Sequence, residues 1–302
     1  MKNKAIVLGC ALLLSTSMLA PACGSKSALV ETRVDEQRYK IAVCDWMILR
    51  RQRVSAFDRS VEIGADGLEL DLGGLGQRPT FDNKLLDPVQ RKEFIDKSEA
   101  SGIAISSIAW SGFYAQDFAG RDGIERIMDD GINTMVLMGV ELGFLPLGVA
   151  GDLLKFPEKR PALVERLRLL GEKAEAAGVV IGIETAFDAL GERTFLEEIN
   201  SPAIKSYFNF ANAVDNGLDV CDELQILGAD RIAMIHASGK DSVWLENDPY
   251  IDVPAIKRTL DDMGWSGWLV VERSRDVTQP RNVIGNYGAN VAYLKRIFQN
   301  EE

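Results

Sequence analysis

Three side chains that could bind a metal ion or carry a proton stand at the ends of apolar runs. The only histidine of the chain, His236, ends the run Arg-Ile-Ala-Met-Ile-His, and Glu184 and Glu272 end two further runs in the same way. A lone histidine at such a position is more often structural than functional. The two matching carboxylates favour a site for Mn2+ or Mg2+, because zinc usually takes more histidine or cysteine ligands than this chain offers.

The pattern between these runs predicts eight strand–helix units. Short apolar runs alternate with longer amphipathic stretches, of which 161–177 is the clearest helix, opened by Pro161 and closed by Gly178. The candidate strands are 40–46, 67–72, 103–109, 142–149, 179–184, 204–210, 231–236 and 267–272. This number of units in about 260 residues predicts an α/β fold, a single-domain (β/α)8 TIM barrel. A doubly wound open sheet is disfavoured because no glycine-rich phosphate turn follows the first strand.

The alternation of side chains along each strand indicates which residues point into the barrel. The leucines of the second strand share one face, so Glu69 and Asp71 are expected to point inward. Glu184, His236 and Glu272 each end a predicted strand. TIM-barrel enzymes place their chemistry at the carboxyl ends of the strands, so these three side chains are expected to lie at the catalytic face.

Four further residues at predicted strand ends are candidates for binding. The strand before His236 offers Asn209 as a fourth metal ligand, and Asn212 follows it as a candidate for contact with the substrate. Trp46 ends the first predicted strand and Trp110 follows the third, where a sugar ring could lie against an aromatic face. Anchoring of the loops is the alternative role for these tryptophans.

Five short motifs, taken in order, resemble a known family. They are Gly-Ile-Glu-Thr (182–185), Phe-Asn-Phe-Ala-Asn-Ala (208–213), Gly-Leu-Asp-Val (217–220), Ile-His-Ala-Ser-Gly-Lys-Asp (235–241) and Gly-Trp-Leu-Val-Val-Glu (267–272). Together they resemble the xylose isomerase-like TIM barrel superfamily, in particular its sugar phosphate isomerase/epimerase branch. The resemblance implies a divalent cation, Mn2+ or Mg2+, held by Glu184, Asn209, His236 and Glu272. It also implies that the two glutamates exchange protons with the substrate.

The sequence differs from the family pattern at two places. Residue 209 is asparagine where the family usually has aspartate, so one expected ligand is neutral. The family's His-x-Lys-Asp is lengthened to His-Ala-Ser-Gly-Lys-Asp, which displaces Lys240 along the chain. Lys240 is expected to be a catalytic residue, and Glu69 and Arg273 are expected to bind the substrate. A solvated or barrel-filling charge is the alternative role for each of these three.

Such a site suits the removal of a proton from a carbon next to a carbonyl. The sequence therefore predicts an isomerase or epimerase that acts on a small non-phosphorylated carbohydrate. A lyase or hydratase of keto-sugars or keto-glycosides could use the same residues, and a carbohydrate-binding lipoprotein with a decayed site is a third reading, motivated by Asn209. A metal-dependent endonuclease is disfavoured because the chain is acidic and lacks further histidines.

The amino terminus predicts export. Residues 1–22 contain Lys2 and Lys4, a short apolar core and Ala-Pro-Ala before Cys23, which resembles the acceptor cysteine of a bacterial lipoprotein. Plain secretion is the alternative. Residues 23–38 read as a flexible tether and 39–302 as the barrel domain. An exported, periplasmic or cell-envelope location favours a free sugar over a phosphosugar and implies membrane contact only through the lipid anchor.

The overall charge excludes one class of partner. The chain carries a formal net charge of -11, which becomes -13 without the two lysines of the export signal. An acidic surface of this kind repels phosphate backbones, so nucleic acid is not expected as a partner.

Overall fold

The strands of this protein form a closed parallel barrel in which each strand pairs with the next and the eighth pairs with the first. The computed structural model describes residues 37–300. The strands are Tyr39–Cys44 (β1), Gly67–Asp71 (β2), Ala104–Ala109 (β3), Leu142–Pro146 (β4), Val180–Glu184 (β5), Ile204–Asn209 (β6), Ile232–His236 (β7) and Gly267–Val271 (β8). The predicted (β/α)8 TIM barrel is confirmed. The predicted export signal (1–22), Cys23 and the tether as far as residue 36 lie outside the described residues.

Helices surround the barrel in alternation with the strands. They are Ser55–Ile63 (α1), Pro88–Ser101 (α2), Ile124–Met138 (α3), Arg160–Ala177 (α4), Ala189–Ile199 (α5), Phe210–Asp215 (α6), Val220–Leu227 (α7), Val253–Asp262 (α8) and Val283–Phe298 (α9). The helix predicted at 161–177 is α4, and Gly178 ends it in the left-handed conformation, with φ of 71° and its N–H bonded to the carbonyl of Ala174. None of the helices within residues 37–300 is long and apolar enough to cross a membrane.

The fourth strand is shorter than predicted. Because residues 135–147 are almost all apolar, their sequence marks no border between helix and strand, and the predicted strand 142–149 ends at Pro146 in the structure. The N–H of Leu147 still donates to the carbonyl of Glu184, which keeps the neighbouring β5 in place as it reaches the mouth of the barrel.

Apolar side chains fill both sides of the strands, so the barrel is a packed core. Leu68 and Leu70 belong to the outer layer under the helices, whereas Cys44, Phe144 and Met234 belong to a separate cluster inside the barrel. The same alternation buries Glu69 and Asp71 completely. The packed interior forms a floor beneath the polar residues at the carboxyl ends of the strands.

Candidate functional site

The three residues first singled out in the sequence meet at the mouth of the barrel. Nδ1 of His236 lies 2.6 Å from Oε2 of Glu184 and 4.0 Å from Oε2 of Glu272. The imidazole is fully buried, while 12% of the Glu184 side chain and 5% of the Glu272 side chain remain exposed. Two partly accessible carboxylates thus lie next to Nδ1 of one buried imidazole.

Strand register places these residues side by side. Glu184 and His236 are the last residues of β5 and β7, His236 is paired with Val270 of β8, and Glu272 follows the end of that strand. The backbone beyond β8 is held in place, because the N–H of Glu272 donates to Oγ of Ser238 at 3.3 Å and its carbonyl accepts the hydroxyl of Tyr287 at 2.9 Å. The carboxylate of Glu272 therefore projects from a fixed position.

Electrostatics at this cluster are dominated by its excess of carboxylates. Burial alone would lower the pKa of His236, but the negative charges of Glu272, Glu184 and Glu69 outweigh it and raise that pKa to about 10. Burial raises the pKa of Glu272, and Glu184 adds to the rise, although the nearby imidazole partly opposes it. The environment therefore favours positive charge at the position of the imidazole.

A third carboxylate, that of Glu69, lies on the other side of the imidazole. Oε1 of Glu69 lies 3.7 Å from Nε2 of His236, and Oε2 of Glu69 accepts hydrogen bonds from Ser107 (2.6 Å) and Tyr207 (3.0 Å). Cys44 lies beside them, with Sγ 3.5 Å from Oε1 of Glu69. Within residues 37–300, Nε2 of His236 has no hydrogen-bond partner. The structure therefore places Glu69 beneath the histidine and not at the mouth.

Asn209 lies beside Glu184 but presents its nitrogen to it. Its Nδ2 donates to Oε2 of Glu184 at 3.2 Å, and its Oδ1 accepts the N–H of Ala211 at 2.9 Å, which caps α6. A metal ion binds the oxygen of an amide and not its nitrogen. Since Nδ2 of Asn209 faces Glu184, the side-chain amide has to rotate before Oδ1 can bind an ion beside that glutamate. The role of Asn209 as a ligand remains a prediction.

The residues at the mouth fit a hard or borderline divalent cation. Glu184, Glu272 and Nδ1 of His236 bring together two anionic oxygen donors and one imidazole, the set that Mn2+ accepts. A second group of possible ligand atoms lies below, where atoms of Cys44, Glu69 and His236 come within 4.8 Å of one another. That lower group contains a thiol, which favours softer ions, so the two sides of His236 suit different metals.

Tyr114 completes the cluster, although the sequence gave no sign of it. It lies in a 3₁₀ turn, Ser111–Tyr114, that follows β3, and its hydroxyl donates to Oε1 of Glu272 at 2.9 Å. The two oxygens of Glu272 are thus divided, with Oε1 bound by the phenol and Oε2 turned towards His236. Tyr114, which is 158 residues from Glu272 in the sequence, therefore orients this carboxylate.

The two tryptophans predicted to contact the substrate have different surroundings. Trp46 lies parallel to Phe144, with ring centroids 6.4 Å apart, and Phe144 packs edge-on against His236 at 4.9 Å. Trp110 is fully buried against α3, where a Cβ added at Gly131 would lie 2.2 Å from its ring. It follows the inward-facing Ala109, so alternation turns it outward, away from the cluster.

The remaining predicted residues lie around this cluster. Nδ2 of Asn212 donates to the carbonyl of Thr185 at 2.9 Å, directly after Glu184. Nε of Arg273 lies 3.9 Å from Oε2 of Glu272, and the arginine is exposed. Lys240 is 62% exposed and forms an ion pair with Asp215.

Some of the residues that sequence analysis missed could have been found by alternation. Tyr207 stands two residues before Asn209, and Ser107 stands two residues before the inward-facing Ala109, so each shares the inner face of its strand. Tyr114 could not be found in this way, because it lies in a 3₁₀ turn beyond the end of β3.

Comparisons with known proteins agree with this architecture. The chain is 26% identical over 204 residues to 2-epi-5-epi-valiolone 7-phosphate 2-epimerase of Actinoplanes sp. (strain ATCC 31044 / CBS 674.73 / SE50/110), an alignment that covers 64% of this chain and 71% of that protein. D-psicose 3-epimerase of Clostridium cellulolyticum H10, solved with D-tagatose, superposes with a TM-score of 0.69 at 14% identity over 86% of this chain and 99% of its own. The apo form of 3-keto-D-glucoside 4-epimerase from E. coli superposes with a TM-score of 0.64 at 17% identity over 85% of this chain and 99% of its own.

A family model agrees with the sequence motifs as well as with the fold. It describes the xylose isomerase-like TIM barrel and matches residues 57–297, which run from α1 to α9 and include Glu69, Tyr114, Glu184, Asn209, His236 and Glu272. The resemblance read from the sequence motifs is thereby confirmed. This chain belongs to the xylose isomerase-like TIM barrel family.

Proposed function

We propose that this enzyme is a divalent-metal-dependent epimerase or isomerase of a non-phosphorylated carbohydrate, and that it moves a proton at a carbon next to a carbonyl. The observation that carries the proposal is the convergence of Glu184, His236 and Glu272 at the mouth of a barrel of this family. Relatives named as a 2-epimerase, a 3-epimerase and a 4-epimerase support the reaction class. Since these three act at different carbons, the substrate has to be inferred from this chain's own residues.

Two carboxylates are placed to carry the proton. Glu184 extends from β5 and Glu272 follows β8, three strands further around the closed barrel, so they reach a molecule at the mouth from different sides. One carboxylate at hydrogen-bond distance can remove a proton from one face of the substrate while the other returns a proton to the opposite face. That sequence of steps inverts the configuration of the carbon.

Neighbouring groups hold each carboxylate in position. Asn209 and His236 both contact Oε2 of Glu184, while Tyr114 binds Oε1 of Glu272. A divalent cation bound by Glu184, His236 and Glu272, with Asn209 as a possible fourth ligand, would stabilise the negative charge that develops on the substrate oxygens. Trp46 and Phe144 offer an apolar wall beside the imidazole for the carbon skeleton of a sugar.

One structural observation and one sequence-based prediction support a substrate without phosphate. The basic side chains close to the cluster are already engaged with carboxylates, Arg273 with Glu272 and Lys240 with Asp215. Phosphate recognition usually takes several cationic or backbone donors directed at one anion. The export signal predicted at residues 1–22 points the same way, since phosphosugars belong mostly to the cytoplasm.

The proposal is tested with protein stripped by a chelator and then reloaded with Mn2+ or Mg2+. A panel of free ketoses, aldoses and their phosphates is incubated with it, and the products are separated by chromatography. We expect a metal-dependent epimer or isomer of at least one free sugar and none with Glu184→Gln. Conversion of phosphorylated sugars alone would reject the substrate class, release of an aglycone would indicate lyase chemistry, and the absence of any product would reject the function.

A further inference from the structure

A groove of about 990 Å³ lies on the same face of the barrel as the cluster. One wall belongs to α6 and the turn after it, including Asp215 and Leu218. The other wall belongs to the loop between β7 and α8 and includes Lys240, Asp248 and Tyr250. Its volume is at the upper end of the range for sites that bind small molecules, which is ~300–1,000 Å³.

The groove adjoins the cluster at Asn209 and at the loop that follows His236. Ala211 lines the groove, and its N–H donates to Oδ1 of Asn209 at 2.9 Å. The opposite wall starts at Gly239, three residues after His236, and the N–H of Gly239 donates to Oγ of Ser274 at 2.8 Å, which holds this loop against the end of β8. The two walls of the groove therefore start from segments next to Asn209 and His236, on the side towards which a substrate longer than one ring could extend.

The chemistry of the lining suits an uncharged sugar ring. Tyr250 is 76% exposed, and an aromatic ring of this kind can pack against the apolar face of a pyranose. Lys240 and Asp215 form an ion pair in which both side chains stay accessible, 62% and 41% exposed, so both can also bond to hydroxyl groups. Asp248 stands next to Tyr250 and accepts its N–H at 3.0 Å.

The charge of the lining disfavours an anionic occupant. Four aspartates line the groove, namely Asp215, Asp219, Asp241 and Asp248, against Lys240 as its one basic residue. Lys240 pairs with Asp215 and Arg275 pairs with Asp241, so the net negative charge of the lining comes from Asp219 and Asp248. An added phosphate or carboxylate would meet this negative field, whereas neutral hydroxyl groups would find many acceptors.

We infer that the groove binds a second, uncharged glycosyl unit, so that the adjoining cluster prefers a disaccharide or other glycoside to a single sugar ring. This inference rests on the proposed function only for the identity of the reacting ring. Binding of the second ring needs no chemistry, so it can be measured separately.

The test compares Tyr250→Ala with Phe156→Ala in the metal-loaded full-length protein. Phe156 is a matched control, because it is an exposed aromatic residue, 38% accessible, that lies after β4 and does not line the groove. Calorimetry measures the binding of glucose and of the neutral disaccharides maltose, cellobiose, lactose, sucrose and trehalose. We expect at least one disaccharide to bind the wild type roughly tenfold more tightly than glucose, Tyr250→Ala to lose roughly three- to tenfold of that preference, and Phe156→Ala to keep it.

Equal binding of glucose and every disaccharide would overturn the inference, and so would a preference that survives in Tyr250→Ala. The two proposals fail separately. Epimerisation of monosaccharides without any preference for disaccharides would remove the groove assignment and leave the proposed function. A Tyr250-dependent preference in a protein that converts no sugar would support the groove and remove the proposed function.

Discussion

His236 and Glu184, 52 residues apart in the sequence, approach to 2.6 Å between Nδ1 and Oε2 at the ends of β7 and β5. The opposite ring nitrogen, Nε2, faces Glu69 at 3.7 Å. The imidazole thus lies between a carboxylate at the mouth of the barrel and a carboxylate in the barrel interior. Metal-binding histidines are commonly oriented by a carboxylate at their second nitrogen, so this arrangement directs Nδ1 towards the proposed cation.

We expect Glu69→Gln to weaken Mn2+ binding by roughly 10- to 100-fold, because loss of a supporting carboxylate leaves the imidazole less well oriented and less basic. Gln keeps the shape of the side chain and can still accept the hydroxyls of Ser107 and Tyr207. Calorimetric titration of metal-free protein with Mn2+ measures the effect. An unchanged affinity in a folded Glu69→Gln protein would show that the Glu69 carboxylate only fills the barrel.

Tyr114→Phe should lower kcat by roughly tenfold and change the Mn2+ affinity much less, because the phenol orients Oε1 of Glu272 and leaves Oε2 untouched. Tyr39→Phe is the matched control, since its hydroxyl donates to Oδ1 of Asp261 on α8 at 2.8 Å and does not contact Glu272. That control should lose stability and keep its kcat. Equal kcat values for Tyr114→Phe and the wild type would argue against an orienting role.

Cobalt substitution separates the two groups of potential ligands around His236. If Co2+ binds at the mouth with Glu184 and Glu272, its spectrum should lack the near-ultraviolet sulfur-to-cobalt charge-transfer band, and Cys44→Ser should leave that spectrum unchanged. If it binds below with Cys44 and Glu69, the band should appear and should vanish in Cys44→Ser. We expect the first result, because Glu184 and Glu272 retain 12% and 5% exposure through which an ion can enter, whereas Cys44 and Glu69 are fully buried.

Glu192 should make stability depend on pH. Burial raises its pKa from the ordinary value of 4.5 to about 7, although the hydroxyl of Thr185, which donates to Oε2 at 2.7 Å, opposes the rise. Between these two values the folded protein binds a proton that the unfolded chain has released, so the free energy of unfolding falls as pH rises and levels off above about pH 7. The full effect of this displacement is up to ~3 kcal/mol.

Urea unfolding at pH 5 and pH 8 tests that expectation with Glu192→Gln, which resembles the protonated side chain. The wild type should lose stability relative to this variant at the higher pH, whereas Glu165→Gln, on the exposed face of α4, controls for the loss of one carboxylate charge. The same difference in unfolding free energy at both pH values would mean that Glu192 titrates normally in the folded protein.

The sequence was sufficient for the architecture because each strand carries its own signal. Apolar runs marked all eight strands, and alternation correctly buried Glu69 in β2. The prediction was least accurate at β4, because the residues around Pro146 are nearly all apolar and do not mark the end of the strand. A pattern that depends on contrast between polar and apolar residues gives no boundary where that contrast is missing.

Residues at strand ends could be placed from the sequence, and residues in loops could not. The sequence predicts that Glu184, His236 and Glu272 lie close together, because each ends a predicted strand and the carboxyl ends of all strands lie on one face of a parallel barrel. Trp110 was predicted to bind the substrate, but it follows the inward-facing Ala109. The alternation of side chains therefore points it outward, where it packs against α3. Tyr114 and Lys240 depend on the conformation of loops, which no periodic pattern fixes.

The most direct test of the proposed chemistry is the fate of the substrate's carbon-bound proton in D2O. With Mn2+ and a sugar that the enzyme converts, NMR of the product should show one carbon-bound deuterium at the inverted centre, because the carboxylate that returns the proton draws it from solvent. Glu184→Gln and Glu272→Gln should each abolish this incorporation. An inverted product without deuterium, or incorporation at the wild-type rate in both variants, would contradict proton transfer by these two glutamates.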